Sequence, residues 1–196
     1  MPLTLTRSLL VVLIPGLVAL APWLLLAVQS WPDLKTTYAE YTGAANVVLF
    51  ALVVLIGSVF EGLATHVEVR WDRQRESEFN ILENWYAYLA SCAPEPVGNR
   101  YIARMVTTFY FELAMLWASI AFLVGAATNV WLSSVRYPLK AALLVLGAAV
   151  GAAFYFRWQA RCSHQVLCEV RRELAARAAK AAAQTVTEGA GGRDAG

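Results

Sequence analysis

Two carboxylates stand where their neighbours offer them no water. Glu61 is the only charge between Ala44 and His66, and Glu112 is the only charge between Val106 and Thr128. An ionised side chain at the centre of an apolar helix costs about 2.5 kcal/mol or more on insertion scales, so such residues face a bundle interior or a water-filled cavity. At 100° per residue, Asn46, Gly57, Glu61, Thr65, Glu68 and Asp72 fall within an arc of about 100°, a polar stripe down one helix face. Glu112 shares its own face with Thr108, Met115 and Ser119. By helical rise, Glu61 and Glu112 sit at matched depth, about 9 Å inside the same end of their helices.

Three kinds of chemistry fit paired buried glutamates. They can fix helix register by pairing with Arg104, Arg157 or a backbone group. They can line a cation or proton pathway, with Glu61, Glu68 and Asp72 forming a vestibule that Glu112 narrows. They can act as an acid–base pair in a small intramembrane enzyme. Metal chemistry has fewer residues to draw on. His66 lies about 140° from the Glu61 stripe on a helical wheel, which suits an interfacial residue better than a ligand. Cys162-Ser163-His164 with Cys168 puts donors on one helix, but zinc sites usually draw ligands from more than one segment, so no metal is assigned. There is no Glu-x-x-His pattern, Gly-rich phosphate loop, nucleophile elbow or Ser/His/Asp set, and no cofactor is expected.

The elements that carry these residues follow from composition. The chain has 196 residues, 59% hydrophobic and 15% charged, against roughly a quarter charged in a soluble domain. A net charge of +2 gives no basis for binding nucleic acid. Four windows meet the roughly 20 apolar residues that a bilayer crossing needs: Leu9 to Val28, Ala44 to His66, Val106 to Thr128 and Pro138 to Phe156. Arg7 and Ala19-Leu20-Ala21 imitate a secretory signal. Pro22 after the would-be cleavage point and the continuing run Trp23 to Leu26 favour a retained helix.

Of the sixteen Arg and Lys residues, all but Lys35, Arg136 and Lys140 fall in the first residues, the loop after span two, or the tail. Positive residues favour the cytoplasmic side, so the N-terminus, the middle loop and the C-terminus are placed there, in a plasma or bacterial inner membrane. Trp23, Trp31, Tyr38, Tyr41, Trp131 and Tyr137 form the aromatic belt expected at the opposite interface. Cys92, Cys162 and Cys168 then all lie on the reducing side, which argues against disulfides.

The fold expected is all-α and integral to the membrane: four transmembrane helices in residues 1–156, with two cytoplasmic amphipathic helices. One is the loop helix within 68–105. Span two continues without Gly or Pro, and a straight helix from Val67 to Cys92 would reach about 38 Å, more than the return strand can cover. A break near Ser77 is expected, with Glu78 to Leu89 as a separate helix and a breaker at Ala93 to Asn99. The other is the tail helix, 157–184, with Glu173 and Arg177 paired at i,i+4. Residues 185–196 read as disordered.

Small residues predict self-association. Gly147 and Gly151 form a GxxxG on span four, and Ala118 and Gly125 belong to a small-residue stripe on span three. The leading expectation is a self-associating multi-pass membrane protein, a sensor or effector or a small pore-forming channel subunit with a Glu61/Glu112 polar face. The alternatives are an anchor that recruits a cytoplasmic protein partner and an intramembrane enzyme.

Overall fold

A computed structural model describes residues 9–84, 96–132 and 139–191. Among these the chain is helical throughout, without strands. After a π-helical turn, Leu9–Leu13, come α1 (Ile14–Ser30), α2 (Leu34–Glu40), α3 (Thr42–Phe79), α4 (Pro96–Leu132) and α5 (Leu139–Gly191). Four stretches are long and apolar enough to cross a membrane: Leu9–Ser30, Thr42–Phe79, Tyr101–Leu132 and Ala142–Arg177. In the last, the charge-free run ends at Phe156 and Arg157 and Arg161 follow.

The chain divides into two compact units, Met1–His66 with Thr107–Arg161, and Val67–Val106 with Cys162–Gly196. The first is apolar and contains α1, α2 and the spanning parts of α3, α4 and α5. Its core includes Phe109, Leu113, Ala114 and Ala118 of α4, all fully enclosed, with Val11, Ala64 and Ala160 from the other helical segments. Val47, Val48, Phe50, Leu55, Leu143, Leu144 and Phe154 are exposed on α3 and α5, as lipid-facing positions in a bundle would be. No hydrophobic drive joins helices in lipid, so close backbone approach and polar contacts must do so. Two glycines supply that approach. A Cβ on Gly16 would fall on the Val53 carbonyl oxygen, and one on Gly57 would fall on that of Val12. The Asn129 amide donates to the Pro22 carbonyl at 3.2 Å and ties α4 to α1.

Helix α3 runs unbroken past its apolar half, as the absence of Gly and Pro predicts. It ends at Phe79, two residues past Ser77 and so close to the expected break, because Asn80 adopts a left-handed backbone with φ 46°. Asparagine tolerates that conformation better than other non-glycine residues and serves as a helix terminator. Helix restarts at 81–84, where the Leu82 N–H donates to the Glu76 carboxylate at 3.2 and 3.3 Å. The rest of the expected loop helix, 85–89, lies outside the described residues. Helix α4 begins at Pro96, inside the stretch expected to break the helix. Proline at a first helical position forgoes an N–H that would have no partner there. Helix α5 continues to Gly191, beyond the expected end near residue 184. Its alanine-rich tail residues are the best helix formers, and the remainder, 192–196, lies outside the described residues.

Candidate functional site

The chemically richest cluster belongs to the charged unit and joins the end of α3 to the middle of α5. On α3, Glu68, Trp71, Asp72 and Arg75 recur at three- and four-residue intervals and so share a face. On α5, His164, Cys168 and Arg171 do the same. His164 is 1% exposed, and its Nε2 lies 2.7 Å from Asp72 Oδ1. The Trp71 ring meets the imidazole edge-on, with centroids 5.6 Å apart. One Arg171 nitrogen stands 3.6 Å from Glu68 Oε1 and another 3.9 Å from Asp72 Oδ2. These last contacts are longer than hydrogen bonds. They act through charge, in a setting where the cost of desolvating each ion offsets much of the attraction.

Cys168 completes the cluster. It is 1% exposed, packs with Phe79 and Ile81, and holds Sγ 3.9 Å from both ring nitrogens of His164. Cys168 lies twelve residues past Phe156, outside the charge-free run. Burial first, then the Asp72 charge, push its thiol up to about 11, while the guanidinium groups of Arg171 and Arg75 pull the other way. The thiol is therefore protonated at neutral pH. One nitrogen or oxygen ligand atom from each of His164 and Asp72 and the Cys168 sulfur lie within 4.8 Å of one another. Below the cluster, the Arg172 guanidinium sits over the Phe79 ring at 5.2 Å.

No protein family, curated protein or solved structure compared with this chain matches it.

The residues singled out from the sequence are distributed over both units. In the apolar unit, Asn46 is exposed and accepts a hydrogen bond from Tyr38 at 2.8 Å. Glu61 is half-buried. Thr65 donates to the Glu61 carbonyl at 3.1 Å and meets the Tyr110 hydroxyl at 3.5 Å. Glu112 is 4% exposed and Ser119, on the same face of α4, is also 4% exposed. Thr108, one turn before Glu112, is exposed. Glu68 and Asp72 belong to the charged unit, where Arg171 and His164 engage them. Ala118 is fully buried, and a Cβ on Gly125 would lie 2.8 Å from Pro22 and 2.9 Å from the Trp23 indole nitrogen. Gly147 and Gly151 have nothing within 4 Å of a built Cβ.

The apolar unit also has a cavity of about 320 Å³ lined by Pro22, Leu25, Phe122, Ala126 and Val145. Its lining is almost wholly apolar, so it presents no reactive groups. His164 and Cys168 were visible as donors on one helix, but their partner Asp72 was read as part of the α3 polar stripe. The signal that could have joined them is complementary: acids at Glu68 and Asp72 on one face of α3, and His164 and Arg171 on one face of α5.

Proposed function

We propose that this chain is a self-associating multi-pass membrane protein that acts as a sensor or effector, with its charged unit and both termini in the cytoplasm. The reading is carried by the contrast between its two small-residue stripes. Ala118 and Gly125 are consumed within the chain, Gly125 against Pro22 and Trp23. The GxxxG of α5 stays open at Gly147 and Gly151. A small-xxx-small face lets a second helix approach backbone to backbone, which is how spanning helices associate when lipid removes the hydrophobic drive. The bias of Arg and Lys supports the orientation. The half-buried Asp72, Glu68 and Arg171 with the buried His164 support a signalling role, because a few polar contacts there hold α3 to α5 and can be gained or lost together.

Native mass spectrometry from detergent tests the association. The wild-type chain is expected as a dimer or higher oligomer, and Gly147→Leu or Gly151→Leu should shift it toward monomer. A monomeric wild type, or an oligomer indifferent to both substitutions, would overturn this reading of α5.

A pore along the Glu61/Glu112 face is the second reading. It is favoured by the burial of Glu112 and Ser119 on one side of α4, since an ionisable side chain inside a span faces the bundle interior or a water-filled cavity.

A further inference from the structure

The thiol of Cys168 has no part in holding the two helices together by charge, yet it is aimed at the same point as His164 and Asp72. We propose that Asp72, His164 and Cys168 form a binding site for a borderline divalent transition-metal ion, of which Zn²⁺ is the type. The donor set is one carboxylate oxygen, one imidazole nitrogen and one sulfur. Hard cations such as Mg²⁺ and Ca²⁺ take oxygen ligands, whereas imidazole with thiolate selects zinc and its neighbours. The ligands come from two segments, α3 and α5, which meets the usual requirement for a zinc site. His164 and Cys168 are one turn apart on one helix face and so converge without backbone rearrangement.

The distances are those of a site closed by small side-chain movements. Tetrahedral zinc with bonds of 2.0 to 2.3 Å holds its ligand atoms about 3.3 to 3.8 Å apart. Sulfur to imidazole nitrogen is 3.9 Å here, and nitrogen to Asp72 Oδ1 is 2.7 Å. The first pair must close by a few tenths of an ångström and the second must open by less than 1 Å. The sulfur and the Asp72 oxygen, within 4.8 Å of each other, must close to about 3.5 Å, and side-chain torsions supply all three changes. With Oδ1 given to the metal, Asp72 Oδ2 remains beside Arg171 at 3.9 Å, the kind of outer contact that fixes a ligating carboxylate. Binding exchanges the Cys168 thiol proton for the metal: the S–H proton leaves to solvent and a sulfur–metal bond forms, with no change in oxidation state. Three protein ligands leave a fourth position for water or an exogenous ligand.

The charges nearby set how tightly such a site can hold. Arg75 and Arg171 face the cluster and repel a cation, while Glu68 and Asp72 attract it. The metal therefore competes with a His164–Asp72 contact that exists without it, which suits reversible binding. Binding itself does not depend on the self-association or signalling proposed above.

Co²⁺ is the probe, because a thiolate ligand gives it an intense near-ultraviolet charge-transfer band. The full chain is purified in detergent without a polyhistidine tag and carries Cys92→Ser and Cys162→Ser, so that Cys168 is the only thiol. One Co²⁺ per chain should bind with the thiolate band, and Zn²⁺ should displace it. His164→Gln and Asp72→Asn should each weaken Co²⁺ binding at least tenfold, and Cys168→Ser should abolish the band. If a variant fails to fold, the single-thiol protein alone decides. Absence of the thiolate band there, or a band unmoved by His164→Gln and Asp72→Asn in folded protein, would overturn the site.

Discussion

His164 Nε2 and Asp72 Oδ1 meet at 2.7 Å across two helices and 92 residues of chain, with the imidazole 1% exposed. Truncating either member removes this contact from a buried imidazole or a half-buried carboxylate, a loss of about 1 to 3 kcal/mol. Asp72→Ala and His164→Ala should each destabilise the charged unit by about that much. The double variant should be little worse than the worse single, a coupling of about 1 to 2 kcal/mol in a double-mutant cycle. Unfolding measured with a chelator present keeps metal out of the comparison. Additive losses would mean the two side chains hold separate contacts.

The cysteines should separate by reactivity. Cys162 is exposed and Cys168 is buried, with its thiol held about two pH units above the usual value of 9.0. Alkylation requires the thiolate, so that shift alone lowers the reactive fraction about a hundredfold at neutral pH. Iodoacetamide followed by mass spectrometry should label Cys162 within minutes and Cys168 only after denaturation. Because the folded thiol keeps its proton between pH 9 and 11 while the unfolded one loses it, this group also withdraws stability as pH rises through that range. Equal labelling of both cysteines in the native protein would mean that α3 does not cover Cys168.

Some of this was legible from the chain and some was not, for separable reasons. Apolar runs about 20 residues long announce spans because no other element needs them, and α3 could be followed past His66 because nothing interrupts it. Reach required a break in the loop and put it near Ser77, two residues before the end of α3 at Phe79. The side chain that permits it, Asn80, is distinguished only by its tolerance of positive φ. Gly189 and Gly191 suggested a disordered tail, yet the alanine-rich turns before them carry α5 to Gly191. The Asp72, His164 and Cys168 cluster was hidden for a different reason. Helical periodicity reports which residues share a face of one helix, and says nothing about which face of another helix they meet.

Three glycines of known surroundings make a stability test within one protein. Gly16 and Gly57 lie against carbonyl oxygens of Val53 and Val12, whereas Gly62 has nothing within 4 Å of a built Cβ. Gly57→Ala and Gly16→Ala should force α1 and α3 apart and cost about 1 to 3 kcal/mol, the usual range for overpacking. Gly62→Ala should be neutral or stabilise by up to about 1 kcal/mol, the helix-propensity difference alone. Unfolding in mixed micelles reads all three. Equal effects at the three sites would mean that α1 and α3 are not in backbone contact there.

Orientation can be read with reporters active only in the cytoplasm. Fusions after Gly196 or within 93–98 should be active, and fusions after Asp33 or Ser134 should be silent. An active Asp33 fusion would put the Lys35 loop on the same side as the arginine-rich segments and break the four-span arrangement.

The two glutamates give the pore reading its test. Glu112 is 4% exposed on α4, and Glu61 is half-buried on α3. Thr65, one turn from Glu61, meets Tyr110, which lies two residues from Glu112 and so about 200° round α4 from it. Tyr110, not Glu112, is thus the side of α4 that meets Thr65, so a pore along both glutamates would pass them at successive steps. Glutamine keeps the shape and hydrogen-bonding capacity of glutamate and removes the charge. Glu61→Gln and Glu112→Gln should each lower cation flux into proteoliposomes while leaving oligomer size and expression normal. In the double variant the fractional losses should multiply, as for sites that do not share a partner. A double variant no worse than the worse single would place both carboxylates on one step, at a shared constriction. Normal flux in all three variants would remove the pathway and leave Glu61 and Glu112 as residues that fix helix register.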